Sequence, residues 1–512
     1  MMPTDFADPS MPAHAEAART GGLTEALERV LPGLEAFLRF EKPTGAARRS
    51  VWLPQIEEPL PASGVGADEV LRLLDELIVG NGLPVGHPGF TGWVTNAPTT
   101  VTATAAFVGA YAAPQRWWVH PANTIEELAV DWLRDLLTLP PSFKGVFVSG
   151  GAVANLVGLA AARQHAGERL GLDISRDGIA ALPAPRVYAT TETHDVLDRA
   201  AGILGIGREN VRHLAVDEAR RPDLDALRRA IDDDIAAGRT PVAVVASAGD
   251  VNTGLVDPID AMREIAHERG IWFHVDGAYG ALGILDDRVR DRYGDFGRID
   301  SLAMDPHKWL ATPVGTGAAF VRDRDLLGRA LTVHRGAYAQ FRPTEGPDPG
   351  SPFDEIGIGT PDFGVDFSTP SRGLAVWALL KEVGADGIRA RIGKDLDCAR
   401  RVADHARREP DLELLAEPEL SICCFRFRPA ALTDEAAIDD LNDRIVHEVR
   451  ARGRAIPSAT RVNDRYAIRP CFINPRGGLA DADALVDEVL AVGRAMSTGA
   501  SPIGTSPAAA DA

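Results

Sequence analysis

The chain has 512 residues, 45% of them hydrophobic and 25% charged, with a formal net charge of −19. That length allows two or three domains, and the composition is ordinary for a soluble globular protein. The acidic balance, without any Lys/Arg-rich stripe, argues against nucleic acid or an anionic membrane as partner, and no apolar run approaches the length of a membrane span.

Residues 1–20 and 498–512 are rich in Ala, Pro, Ser, Thr and Asp and read as disordered tails. The first residues lack the basic and apolar regions of a secretory signal. Leu23, Leu27, Val30, Leu31, Leu34, Phe37 and Leu38 recur at helical spacing, as do apolar residues over 68–79. Residues 21–100 are therefore expected to form a helical segment with too little apolar material for its own core, one that packs on a partner subunit.

Between residues 101 and 370 helical patterns alternate with short apolar runs. Strands are expected at 145–148, 186–189, 242–246, 271–275, 301–304 and 317–321. Helices are expected at 125–138, 153–166, 194–203, 222–236 and 258–269. Short buried strands joined by helical crossovers predict an α/β fold with a mostly parallel central sheet covered on both faces. Residues 335–369, rich in Gly, Pro and Asp, read as a long loop, the kind that often closes over a site. Helical patterning resumes at 371–408, and residues 371–497 are expected as a smaller C-terminal α+β domain. The four cysteines (Cys398, Cys423, Cys424, Cys471) form no CxxC pair and fit no familiar zinc spacing. Reduced thiols in a cytoplasmic protein, with no metal, are the simplest account.

Five lysines stand against a large excess of arginine: Lys42, Lys144, Lys308, Lys381 and Lys394. Lys308 alone follows an apolar strand-like run, between a His and a Trp. Partial desolvation there favours a neutral, nucleophilic amine. The ordinary reading of such a lysine is a side chain snorkelling from a strand end. A second motif, Gly270-Ile-Trp-Phe-His-Val-Asp-Gly-Ala-Tyr-Gly280, is a strand ending in an acid. A Schiff-base lysine and an anion at a strand's carboxyl end are what pyridoxal 5′-phosphate (PLP) requires, because its ring nitrogen must stay protonated to accept electrons. Val146-Phe-Val-Ser-Gly-Gly-Ala-Val-Ala-Asn155 is a strand, a Gly-Gly turn and a helix start, which binds phosphate through backbone N–H groups. Val187-Tyr-Ala-Thr-Thr-Glu-Thr-His194 is a further strand end, carrying a histidine.

The order phosphate turn, His194, Asp276, Lys308 resembles the PLP-dependent group II amino acid decarboxylases, which include aromatic amino acid, glutamate and diaminobutyrate decarboxylases. Supporting landmarks are His87-Pro-Gly-Phe, Trp118-Val-His-Pro-Ala-Asn, His274-Val-Asp-Gly-Ala-Tyr and Asp305-Pro-His-Lys-Trp-Leu. The resemblance implies the fold type I (aspartate aminotransferase-like) architecture and a homodimer whose subunits complete each other's sites. It also implies roles: Lys308 as the Schiff-base lysine, Asp276 at the ring nitrogen, His194 and Ala278 on opposite ring faces, and Gly151, Ala152 and His307 around the phosphate. Tyr338 matches the family's catalytic loop tyrosine in spacing; Trp93, Trp117 and Trp118 lie where relatives build the substrate pocket.

Three residues depart from the family pattern. Ala152 stands where many relatives carry a hydroxyl, Asp250 (followed by Val251) where they often have threonines, and Asp305 where aromatic decarboxylases commonly have Asn. The expected reaction is decarboxylation of an L-amino acid, aromatic by preference, to the amine and CO2. One alternative keeps the fold and makes the protein a carbon–carbon lyase or an oxidative decarboxylase-deaminase. Another is a non-enzymatic or metal-binding relative using His274, Asp276 and His307.

Overall fold

The computed structural model describes residues 22–40, 49–114, 120–331, 363–366 and 368–498. Tyr338, Trp117 and Trp118 lie outside the described residues. The chain divides into two compact units between His87 and Pro88.

In the first unit, helix Leu23–Leu38 and helix Ala67–Leu73 form over the apolar spacings; the second widens into a π-turn at Leu74–Val79. No residue of helix Leu23–Leu38 is buried. Leu31, Leu34, Leu38, Val70, Leu74 and Ile78 all stay exposed, so this unit leaves an apolar surface uncovered.

Among the described residues the second unit carries twelve strands: β1 (Phe90–Thr91), β2 (Lys144–Val148), β3 (Pro185–Thr190), β4 (Val211–Leu214), β5 (Thr240–Ser247), β6 (Trp272–Asp276), β7 (Ser301–Met304), β8 (Gly317–Val321), β9 (Leu412–Ala416), β10 (Cys424–Phe427), β11 (Ile456–Val462) and β12 (Arg465–Arg469). Seven of them form one sheet in the order β2-β8-β7-β6-β5-β3-β4. The neighbours from β7 to β4 pair in parallel, and β8 runs antiparallel to both β2 and β7. Every residue of β6, β7 and β8 is buried, as expected of strands covered on both faces. Because β8 reverses direction between them, β2 ends on the same edge as β7. The carboxyl ends of β2, β3, β5, β6 and β7 thus share one edge, where open α/β sheets bind ligands.

Helix Gly151–Glu168 lies on one face with twelve of its residues buried, mostly Ala and Gly, which permit close approach to the sheet. Helix Gly373–Arg408 kinks at Gly384 (φ 64) and leads into the smaller lobe. That lobe is a five-stranded sheet, β1-β11-β12-β10-β9, antiparallel except for the β1–β11 pair. Helices Glu435–Arg452 and Leu479–Ser497 cover it over a core that includes Phe425, Phe427, Val446 and Leu485. All four cysteines are buried and free.

Gly317 fixes how closely the sheet approaches the β2 turn. A Cβ at Gly317 would lie 2.5 Å from the Gly150 Cα, a backbone atom that cannot rotate away. Gly317→Ala is expected to cost about 1–3 kcal/mol through overpacking. A thermal melt reads this directly: an unchanged midpoint would show that the turn is free to shift.

Candidate active site

A cleft opens at the shared strand edge, lined by Val94, Glu192, His194, Ser247, Asp276, Ala278, Tyr279, Lys308 and the 249–251 turn. Three residues singled out from sequence for their chemistry, His194, Asp276 and Lys308, therefore meet in one place with Ala278. Each arrives by a strand end: His194 four residues past β3, Asp276 as the last residue of β6, and Lys308 in the short helix Pro306–Trp309 after β7.

Lys308 is not solvated by water alone. Its Nζ lies 3.1 Å from Asp305 Oδ2, and its side chain keeps 20% exposure against 3% for Asp305. The Asp276 Oδ1 accepts the Ala278 N–H at 3.1 Å, which aims the carboxylate across the turn. At His194, Nδ1 accepts the Val196 N–H at 3.2 Å, leaving the ring proton to Nε2.

The Gly-Gly turn is held from below by a chain of hydrogen bonds. Trp272 Nε1 donates to Ser301 Oγ at 2.7 Å, and the Ser301 hydroxyl donates to His274 Nδ1 at 2.7 Å. His274 Nε2 donates to Asn155 Oδ1 at 2.8 Å, and Asn155 Nδ2 donates to the Gly151 carbonyl at 2.8 Å. Burial pulls His274 down to about 4, so the ring is neutral and the chain carries no net charge. His274 is thus a support beneath the site. No group of metal-ligating side chains occurs among the described residues.

Gly150 adopts φ +148, which an L-residue rarely adopts, and so turns the chain into helix Gly151–Glu168. A Cβ at Gly151 would lie 2.7 Å from Asp305 Oδ2 and 3.0 Å from the Ala278 Cβ. His307 flanks the turn, with its Nδ1 donating to the Thr316 carbonyl at 2.8 Å. This helix start, which glycine keeps clear of side chains, presents backbone N–H groups at Gly151 and Ala152 and fits a phosphate ester.

Residues 109–428 match the family model described as the pyridoxal-dependent decarboxylase conserved domain. The chain belongs to that family. An aromatic-L-amino-acid decarboxylase of Bacillus atrophaeus is 31% identical over 427 residues, covering 82% of this chain and 84% of that protein. An L-2,4-diaminobutyrate decarboxylase of Acinetobacter baumannii is 28% identical, covering 84% of each. Among solved structures, Oryza sativa TDC with PLP and tryptamine superposes with a TM-score of 0.82 at 22% identity, over 96% of this chain and 100% of that one. The protein is a PLP-dependent amino acid decarboxylase of fold type I.

Several residues of this decarboxylase's site escaped the sequence reading. Tyr279 stacks on Trp309 with ring centroids 5.2 Å apart, and its hydroxyl contacts Ser421 Oγ at 2.5 Å. Trp309 Nε1 donates to Asp395 Oδ2 at 2.8 Å. The cleft floor is thereby anchored to the small lobe and to helix Gly373–Arg408. Val94, not Trp93, lines the cleft; Trp93 is 56% exposed, with φ +51. Asp250 is occupied within its own loop, its carboxylate accepting the N–H groups of Asn252, Thr253 and Leu255 and the Thr253 hydroxyl. The signal for that role was the Asp-x-x-Thr-Gly turn pattern itself.

Beneath Ser247, Asp257 Oδ2 accepts the Ser247 N–H at 2.7 Å. Burial pushes the Asp257 carboxyl up to about 7. The folded chain therefore holds this proton more tightly than the unfolded chain does. The stability it contributes is complete below the unfolded value near 3.9 and is lost as pH rises through about 7. Asp257→Asn keeps an acceptor for Ser247 and cannot ionise. Urea midpoints of the wild type are expected to fall relative to Asp257→Asn across that window; parallel profiles would show that Asp257 does not titrate there.

Proposed function

We propose that this decarboxylase acts on an L-amino acid with an aromatic side chain, releasing CO2 and the amine. The observation that carries the reading is the convergence of Lys308, Asp276, His194 and Ala278 on one cleft. When bound, PLP supplies an electron sink for the pair left as the α-carboxylate departs. Lys308 is the residue whose amine would hold the cofactor's aldehyde carbon. Asp276 keeps the proton on the ring nitrogen, and its Ala278 N–H contact orients it for that task. His194 and Ala278, both lining the cleft, would hold the cofactor ring between them. Gly151 and Ala152 offer backbone N–H groups to the phosphate, with His307 beside them.

The aromatic preference is supported by the relatives, of which the Bacillus atrophaeus protein and the Oryza sativa TDC bear names or ligands of that class. Trp118, outside the described residues, is the proposed aromatic contact; Trp93, expected beside it, is exposed next to the cleft-lining Val94 and is not proposed as a contact. Tyr338, also outside them, is proposed to return the proton to Cα and to shield the site from water. A second reading, oxidative decarboxylation-deamination, would give an aldehyde, the product class named by the phenylacetaldehyde synthase of Arabidopsis thaliana, 28% identical over 69% of this chain.

A homodimer is supported by apolar surface left open on helix Leu23–Leu38 and on helix Thr100–Ala112, where Phe107 and Tyr111 pair at 5.0 Å yet remain exposed. The cytoplasm is the proposed compartment, in keeping with four buried free thiols. No helix among the described residues is long and apolar enough to cross a membrane.

Borohydride is expected to fix the cofactor to the peptide carrying Lys308; label on Lys144 or Lys381 would remove Lys308 from its role. Asp276→Asn should cost about 1.5–3 kcal/mol of transition-state stabilisation, through loss of a charge-assisted hydrogen bond. Near-normal turnover would place the ring nitrogen elsewhere. A panel of L-amino acids, scored for CO2, amine, aldehyde and oxygen uptake, separates the two outcomes and the substrate classes. Tyr338→Phe is expected to form less amine and some oxygen-dependent aldehyde; wild-type amine output would make Tyr338 an ordinary loop residue.

A further inference from the structure

Asp305 is a buried carboxylate set directly against the cradle proposed to hold the cofactor's phosphate. Its Oδ2 lies 3.1 Å from Lys308 Nζ and 3.7 Å from His307 Nε2. Its Oδ1 is buried and has no hydrogen-bond partner among the described residues. Cβ positions built on Gly150 and Gly151 would fall 3.9 Å from Oδ1 and 2.7 Å from Oδ2, so the carboxylate borders the very N–H groups that open the helix.

Apart from Lys308, His307 and Asp276, the groups around it are uncharged. The Ala278 carbonyl accepts the Asp305 N–H at 3.1 Å, and the β2 and β8 sides contribute Gly150, Gly151 and Thr316. On β6, the Asp276 carboxylate is engaged by the Ala278 N–H. On the short helix, His307 and Lys308 are the two cations in prospect. His307 spends its Nδ1–H on the Thr316 carbonyl at 2.8 Å, so its Nε2 is an acceptor unless the ring is charged. A phosphate dianion in this cradle would face a carboxylate within the range where two like charges disfavour each other's ionisation.

We infer that Asp305 and the cofactor's phosphate share one proton. The ester is held as its monoanion, with the P–O–H donating to Asp305 Oδ1 and giving that acceptor its partner. When a dianion binds from neutral solution, the proton is taken up from water, and it is released again when the cofactor leaves. The inference rests on the reading of Gly151 as the phosphate cradle. Free phosphate esters lose their second proton near 6, so above that pH binding takes up a proton and affinity falls by about tenfold per pH unit. Asp305→Asn can donate from its amide to the dianion, needs no proton, and flattens that dependence.

The test is the phosphorus NMR resonance of the bound cofactor in wild type and Asp305→Asn between about pH 6 and 9, after borohydride labelling has located the cofactor. The wild type is expected at the monoanion position and Asp305→Asn at the dianion position. In parallel, the affinity of 4′-deoxypyridoxine 5′-phosphate, which has no aldehyde to bond Lys308, is expected to fall with pH in the wild type only. Deoxypyridoxine without its phosphate should show no such slope. A wild-type resonance at the dianion position, moved by Asp305→Asn, overturns the shared proton alone. Label on Lys308 with a resonance indifferent to Asp305→Asn overturns the phosphate placement, and label elsewhere overturns the site reading.

Discussion

The neutral hydrogen-bond chain from Trp272 through Ser301, His274 and Asn155 to Gly151 is the constraint on which the rest of the site depends. It links β6, β7 and the helix after β2 through fully buried groups, so the turn, the Asp276 strand and the strand leading to Lys308 keep one relative register. Each member has a single arrangement of donors and acceptors that satisfies all the others. Removing any one leaves a buried polar group unpaired, at a cost of about 1–3 kcal/mol. A histidine charged at ordinary pH would not serve here; burial keeps His274 neutral and the chain intact.

Above that chain, the cleft floor ties the two lobes together. Tyr279 belongs to the β6 turn and Trp309 to the lysine's own helix; Ser421 and Asp395 hold them from the small lobe and from helix Gly373–Arg408. Arg469 on β12 reaches the carbonyls of Asn252 and Trp93, which brings the 249–254 loop and the segment after β1 into the same assembly. The small lobe therefore reads as part of the site's wall and floor rather than an appendage.

Much of this was legible in the residues. All six strands expected between 145 and 321 are present, because fully buried strands must be written as unbroken apolar runs. Strand β4 was not read, since Arg212 and His213 make this edge strand polar. Helix Thr100–Ala112 also escaped: it is apolar on nearly every side and buries little more than Thr102 and Gly109, so it shows no periodic stripe. The residues proposed to meet the cofactor follow strand ends and so announce themselves by position. Those that hold them in place, such as Asn155, Ser301 and Asp257, are ordinary polar residues whose meaning lies in partners more than twenty-five positions away or across a tight loop. Asp250 shows the same limit, since an acid in a cofactor loop and an acid stapling its own loop are written alike.

The pairing of β1 with β11 joins Phe90 to Ile456. During synthesis, the segment that carries Trp93 and Val94 leaves the ribosome long before its sheet partner exists. The large sheet, with its shorter connections, can assemble first; the wall of the cleft must wait for the last strands of the chain. A polypeptide without β11 therefore lacks the sheet partner of Phe90 and Thr91, and the segment bearing Val94 takes its place in the cleft wall only once the last strands have formed.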